Sequence, residues 1–398
     1  MLTWRTTAAV VMAVLLVAGC SSSTTPPAAK SGTSTKTTAA PKAATGDEVA
    51  LESVPWDQVG SGWMLATWRL HPYDPGSPPN TDKATNTTLF LVDPSGVRYP
   101  ITTFPPGSDG YRVPSLADWS GDGERALLYN WGGDATVVDL HSGKQTTFGV
   151  PGDVRADPTF TLPSGQAVLV VLDNGSKPPT LERVDLTGKR ELLYPTDKLV
   201  GAFNGSYLST PDGAQLVLGS DTGLVVMGND GTIGRTIAIP GVIRCSPLRW
   251  WDGAPAKTLL AGCGSNQNDQ PQLWLVPFAG GAPTALTAPN TQEGDLNAWQ
   301  VAAGTFVQTA YQCGELILEK MNADGTTSRV AVPGTDAKRS IQVVGVNDDD
   351  LIVKAAPSCQ PGEALIDYDP AANTSTVLLG GSVNGGSVGD AVMYPGEE

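Results

Sequence analysis

Histidine is nearly absent. His71 and His141 are the only two in 398 residues, which removes most histidine-based metal centres and proton relays from consideration. Charged residues make up only 16%, too few for a charge-swollen disordered chain. Basic charge is scarcer still. With 25 Lys and Arg against 40 Asp and Glu, the formal charge is −15. There is no surplus of cations to meet phosphates, so no nucleic-acid partner is expected. Long hydrophobic runs are also missing. The sustained apolar stretch from Ala8 to Ala18 is too short for a ~30 Å hydrocarbon core, so no retained membrane-spanning helix is expected. What the chain has in excess is turn formers. Its 46 Gly and 32 Pro exclude a helical bundle and point to many short strands.

The N-terminus reads as an address. Arg5 precedes the apolar run, which ends in Val17-Ala18-Gly19-Cys20, the layout of an export signal. That ending resembles the bacterial lipobox, where small residues admit the signal peptidase and the cysteine thiol carries the lipid. The resemblance implies a signal peptide over 1–19, lipidation at Cys20 and a place on the extracytoplasmic face of the cell membrane. Residues 20–46 hold Ser, Thr, Pro, Ala and three Lys; they cannot offset their ordering entropy and are expected to form a disordered tether. This bias resembles that of actinobacterial lipoproteins. The folded part is then 47–398, and it is strongly acidic.

After the tether a repeat runs through the chain: apolar strand, polar or Gly turn, second strand. LFLVDPSGVRYPIT, LERVDLTGKRELL and LIDYDPAANTSTVLL are three of its copies. The turn falls at Gly96, Gly143, Gly188, Gly231, Gly281, Gly325 and Asn373, spaced 43–50 residues apart, the period of four-stranded blades. Glycine or asparagine suits a hairpin position with positive φ. Another strand pair precedes each hairpin, as in SLADWSGDGERALLYNW. The expected fold is therefore all-β, a seven-bladed β-propeller of four-stranded antiparallel blades. Asp118 to Glu124 and Pro211-Asp212-Gly213 resemble the Trp-Ser-Pro-Asp-Gly turn of TolB-like propellers. The likeness to WD-repeat propellers is looser, because no Gly-His…Trp-Asp pair occurs. Ser382 to Tyr394 holds a further strand pair that either closes the ring beside the first blade or lies outside it.

Besides Cys20 there are four cysteines, an even number that reads as disulfides in an exported protein. Cys245 and Cys263 flank the first hairpin of the fifth blade symmetrically. Cys313 and Cys359 each follow the second strand of their blades, where a bond would staple neighbours. All four then mark one end of the propeller. A four-cysteine zinc site lacks any Cys-x-x-Cys spacing.

The motifs with chemical overtones have plainer readings. Gly385-Gly386-Ser387-Val388-Gly389 matches a nucleophile elbow, but no histidine follows it and it reads as a turn. Asp118, Ser120 and Asp122 imitate a Ca²⁺ loop that lacks its closing Glu, and Asp348-Asp349-Asp350 reads as a solvated acidic turn. No catalytic residue, metal or cofactor is expected. Trp56, Trp119, Trp250, Trp251 and Trp299 lie on or beside first strands and read mainly as wedges between blades. Trp250 or Trp251 at the channel mouth, with His71 and Tyr73 on the long loop of the first blade, are the binding candidates. The expected function is a lipid-anchored binding or scaffolding module for a protein or envelope glycan. The alternative is a hydrolase or lyase with carboxylates and a cation at the channel mouth. Converging acids there would favour the enzyme, and an apolar mouth would favour binding. The location has a direct test. Cys20→Ala is expected to move the protein from the membrane to the soluble fraction while its circular dichroism stays unchanged, because anchor and domain share only a tether.

Overall fold

The computed structural model describes residues 44–70, 86–106, 114–130, 133–150, 158–173, 178–251, 257–265, 270–289, 294–311, 314–336, 339–357 and 362–395. The expected signal peptide, Cys20, the expected tether up to residue 43, His71, Tyr73, Cys313 and Cys359 lie outside the described residues. The described strands form five four-stranded antiparallel sheets and one eight-stranded sheet. In sequence order the units are β4 (Ser115–Trp119) to β7 (Gln145–Gly149), β8 (Thr159–Phe160) to β11 (Arg190–Leu193), β12 (Phe203–Ser209) to β15 (Ile233–Ile237), β16 (Arg244–Trp250) to β19 (Thr284–Ala285), β20 (Gly294–Val301) to β23 (Thr327–Arg329) and β24 (Ile341–Asn347) to β27 (Thr374–Leu379). The eight-stranded sheet is β12–β15 joined to β16–β19 through the pair Ser220↔Cys245. The remaining sheet starts with the C-terminal strand: β28 (Ser387–Met393), then β1 (Met64–Arg69), β2 (Thr87–Val92) and β3 (Arg98–Phe104). The fold is a β-propeller.

Sequence composition explains each strand's place. Second strands are apolar on both faces, as in β9 (Ala167–Leu172), because both faces meet neighbouring sheets. Fourth strands such as β7 and β15 are mostly exposed and polar, which blunts an outer edge that would otherwise invite pairing with another chain. The seven turn positions expected from the repeat, Gly96 through Asn373, all have positive φ.

The C-terminal strand closes the succession. Met393 pairs with Met64 and Ser387 with Arg69, making β28 the innermost strand of the first sheet. Its side chains pack against Ile352 and Leu365 of the last unit. Of the two placements open for Ser382 to Tyr394, the structure therefore takes the ring-closing one. The N-terminus covers the same seam. Gly46 N–H donates to Gly96 O, Arg98 N–H to Asp47 O, and Glu48 pairs with Arg98 at 2.9 Å. Ala44 to Gly46, assigned to the tether from composition, are thus already docked.

Innermost strands are tied to the next unit by side chains. Asp390 Oδ2 on β28 accepts the Leu116 N–H of β4 at 3.1 Å, and Asp118 Oδ2 on β4 accepts the Phe160 N–H of β8 at 2.6 Å. Asn204 on β12 donates to Cys245 O on β16 at 2.8 Å, and the Trp250 indole donates back to Ser209 O at 2.9 Å. Gln308 bonds both Ile341 O and the Val343 N–H of β24. Backbone groups on the inner edges thereby gain partners without continuous sheet pairing. Asp118→Ala would leave the N–H groups of Phe160 and Trp119 without their carboxylate acceptor. The expected loss is about 1–3 kcal/mol, read as a lower urea midpoint with an unchanged slope.

Candidate functional site

Strand direction gives the propeller two unlike ends. At the hairpin end lie the tight turns between first and second and between third and fourth strands. At the loop end, innermost strands begin and second strands finish. The hairpin end is made of aspartate turns. Asp93, Asp139, Asp185 and Asp324 each accept the N–H of a residue two or three positions on. Hydrogen bonds to these hydroxyl and N–H donors hold the Asp185, Asp230 and Asp324 carboxyls below the usual range; for Asp139 the Ser142 hydroxyl is the main cause. Asp122 is lowered too: Ser120, the Glu124 N–H and Arg125 outweigh the raising effect of burial. Together with the latch made by Asp118, this accounts for the stretch that imitates a Ca²⁺ loop. Among the described residues no group of three His, Cys, Asp or Glu is placed to hold a metal.

The loop end is different. Leu70, Leu193, Val200, Ile243, Leu296 and Tyr311 are exposed large hydrophobic residues, and the topology puts each of them there: after a second strand, at or after a fourth, or at the start of a first. Ile233 is the exception at the hairpin end.

A cavity of about 310 Å³ opens among the starts of β12, β16 and β20 at the loop end. Two local features of the backbone build it. Innermost strands carry bulges: the pairing register of β16 skips between Pro247 and Arg249, and that of β20 between Asp295 and Asn297. The extra residues, Leu248 and Leu296, leave the ladder and become cavity walls. The second feature is the disulfide. Cys245 and Cys263 are directly opposed on β16 and β17 (Thr258–Gly264), with Cα atoms 4.1 Å apart, and are bonded. Both cysteines are buried in the seam core. Side chains alternate along a strand, so their neighbours Arg244, Ser246, Gly262 and Gly264 face the cavity instead. The disulfide expected from the hairpin symmetry is thus the back of the cavity wall.

Polar groups in the cavity are few. Ser206 Oγ donates to Ser246 Oγ at 3.0 Å, and Asn204 Nδ2 contacts the same oxygen at 3.3 Å. Asp295 is 6% exposed and accepts from Thr309 Oγ1 at 3.4 Å. Arg244 is exposed at the rim, and its guanidinium makes no ion pair among the described residues. Among the described residues that line it, Asp295 is the one carboxylate, beside Leu248, Leu296 and Pro271.

Two of the four binding candidates lie among the described residues, and Trp250 needs correction. Trp250 ends β16, at the hairpin end and away from the cavity. It is 5% exposed, edge-on to Phe278, with its N–H committed to Ser209 O. Trp251 follows it and packs half-buried against the cluster of Leu260, Leu273, Ala298 and Val307. Trp250 is a wedge because a first strand runs from the loop end to the hairpin end, and Trp250 closes it. His71 and Tyr73 fall outside the described residues. Trp119 and Trp299 are core wedges as expected. His141 stacks on Trp56 at 3.8 Å and approaches Glu124 at 3.0 Å. Ser387 is a buried strand residue accepting the Glu363 N–H, not a nucleophile at an elbow. The residues sequence reasoning missed are the bulge leucines, whose only trace in the sequence is an apolar residue out of alternation.

No protein-family model and no curated protein matches the chain. Solved structures do. TolB from Acinetobacter baumannii is 13% identical over 90% of this chain and 88% of its own, with a TM-score of 0.41. The Swd1 β-propeller domain of Myceliophteria thermophila is 14% identical over 69% of this chain and 88% of its own, with a TM-score of 0.47. A prolyl endopeptidase is 12% identical over 78% of this chain, which spans about half of that protein (49%), with a TM-score of 0.50. At such identities the likeness is one of fold.

One acidic patch behaves unlike the turn aspartates. Asp367 Oδ1 is buried without a hydrogen-bond partner. Burial first, then the nearby Asp350 and Asp369, push its carboxyl up to about 6 from 3.8. The folded state therefore holds this proton more tightly than the unfolded chain. The contribution of Asp367 to stability is greatest below the usual carboxylate range and is lost as pH rises through about 6. Asp367→Asn is expected to stabilise the protein at pH 8, by on the order of 1 kcal/mol after solvent screening, and to have little effect at pH 4. Urea midpoints at the two pH values check both signs.

Proposed function

We propose that the chain is a lipid-anchored protein-binding module. Cys20 holds it at the extracytoplasmic face of the cell membrane, and the loop end of the propeller meets the partner. In this reading the eight-stranded sheet counts as two blades, so the sheets make one seven-bladed ring closed by β28. The observation that carries the proposal is the segregation of the described exposed hydrophobic residues to the loop end, with Leu296 in the cavity wall and Ile243 beside its Arg244. Monomeric proteins keep such patches small unless they serve a contact. The chemistry of the patch favours protein over glycan. Sugars stack on open aromatic faces, whereas five of these six residues are aliphatic and Trp119, Trp250 and Trp299 are buried.

The experiment is site-specific photo-cross-linking in the native cells. A benzophenone side chain is placed at Ile243, at Leu296 or, as the opposite-end control, at Ile233. A discrete adduct is expected from Ile243 and Leu296, but not from Ile233. Adding Val200→Asp to the probe-bearing variants is expected to lower its yield several-fold. Equal labelling from Ile233, or no adduct at the loop end, would defeat the proposal.

A further inference from the structure

We infer that the cavity between β12, β16 and β20 receives the C-terminal residue of a polypeptide, an apolar side chain with its free carboxylate. This rests on the reading of the loop end as a protein-binding surface and names the part of the partner that enters.

Size comes first. About 310 Å³ is at the low limit of ligand pockets, which run from ~300 to 1,000 Å³, and suits one residue, not a folded segment. Shape and polarity of the walls follow from the bulges. Leu248 and Leu296 line the space apolarly, and Gly262 keeps it open: a Cβ there would come within 3.5 Å of Leu248 and 3.7 Å of Pro271, filling the gap between them.

The polar groups specify an acceptor. Ser246 Oγ already receives a hydrogen from Ser206 Oγ and faces the Asn204 amide. Its own hydroxyl proton is therefore the one left to give, and it points the site towards a hydrogen-bond acceptor. Arg244 lies two residues away on the same face of β16, and it is paired across the ladder with Gly264, which has no side chain to crowd the guanidinium. A guanidinium and a hydroxyl donor at the mouth of an apolar pocket are the elements of carboxylate capture. Asp295, buried at the β20 side, repels a second anionic group, so an acidic terminal side chain is disfavoured.

The surroundings favour a polypeptide over a free organic acid. A small carboxylate would be satisfied inside the cavity, whereas Ile243, 43% exposed beside Arg244, and Leu296, 38% exposed, extend the apolar surface beyond it. A chain leaving the cavity would run over this rim.

The test uses the full-length protein in detergent and pools of random hexapeptides with either a free or an amidated C-terminus. Free-acid peptides are expected to be retained at least tenfold better than amides, with Leu, Ile and Val enriched at the last position and Glu depleted. Arg244→Gln, an exposed substitution, should abolish the preference for the free acid. Gly262→Val should lower retention of all members while leaving the circular dichroism unchanged. Equal retention of acids and amides, or an Arg244→Gln protein that still prefers acids, overturns the inference. So does 4-methylpentanoate competing as strongly as the best peptide, which would mark a small-acid site. If the pools show no preference while Ile243 still cross-links in cells, the inference fails and the binding reading stands. If both fail, the reading of the loop end falls with it.

Discussion

An antiparallel sheet of four strands has two bare edges, and in a propeller one of them faces the axis. Backbone N–H and C=O groups on that inner edge must find partners. Here the innermost strands are latched to a neighbouring unit by side chains: Asp390 to Leu116, Asp118 to Phe160, Asn204 to Cys245, and, from a second strand, Gln308 to Ile341 and Val343 of the next innermost strand. The latch fixes the angle between units more tightly than apolar packing could, because a hydrogen bond tolerates little displacement. The same requirement explains the C-terminal strand. Without β28 the first sheet would present β1 to the axis, and the last unit would lose its neighbour.

Latching has a geometric consequence. Most of these latches accompany a departure from regular pleat, and register skips occur in the innermost strand of most units. A bulge bends the strand and turns one residue out of the ladder. At β16 and β20 the residues turned out are leucines, and the cavity is the space they border. The irregularity that accompanies latching thus also shapes the cavity.

The two ends divide the chemistry between them. Aspartate turns at the hairpin end serve the fold: their carboxylates are consumed by the turn's own N–H and hydroxyl groups. The loop end spends fewer polar groups on itself. Its cavity is backed by a disulfide whose two cysteines point into the seam while their neighbours point out.

Local signals in the sequence were enough for the architecture. Turn glycines at a near-constant spacing, apolar second strands and polar fourth strands each follow from the conformation or burial of one segment, and the cysteine pair is legible because opposed strand positions are symmetric about their turn. The site was not legible in this way. Trp250 looked available because composition shows an aromatic residue on an inner strand but not which end of that strand it occupies or what its indole N–H meets. Arg244, Ser246 and Leu248 share β16, but Ser206 and Leu296 come from the units before and after it, and nothing local links the three strands. Only the packing of successive units brings their strands together, and the bulges take the leucines out of the ladder. Those are consequences of satisfying an edge against a neighbour, a long-range requirement that no single repeat contains.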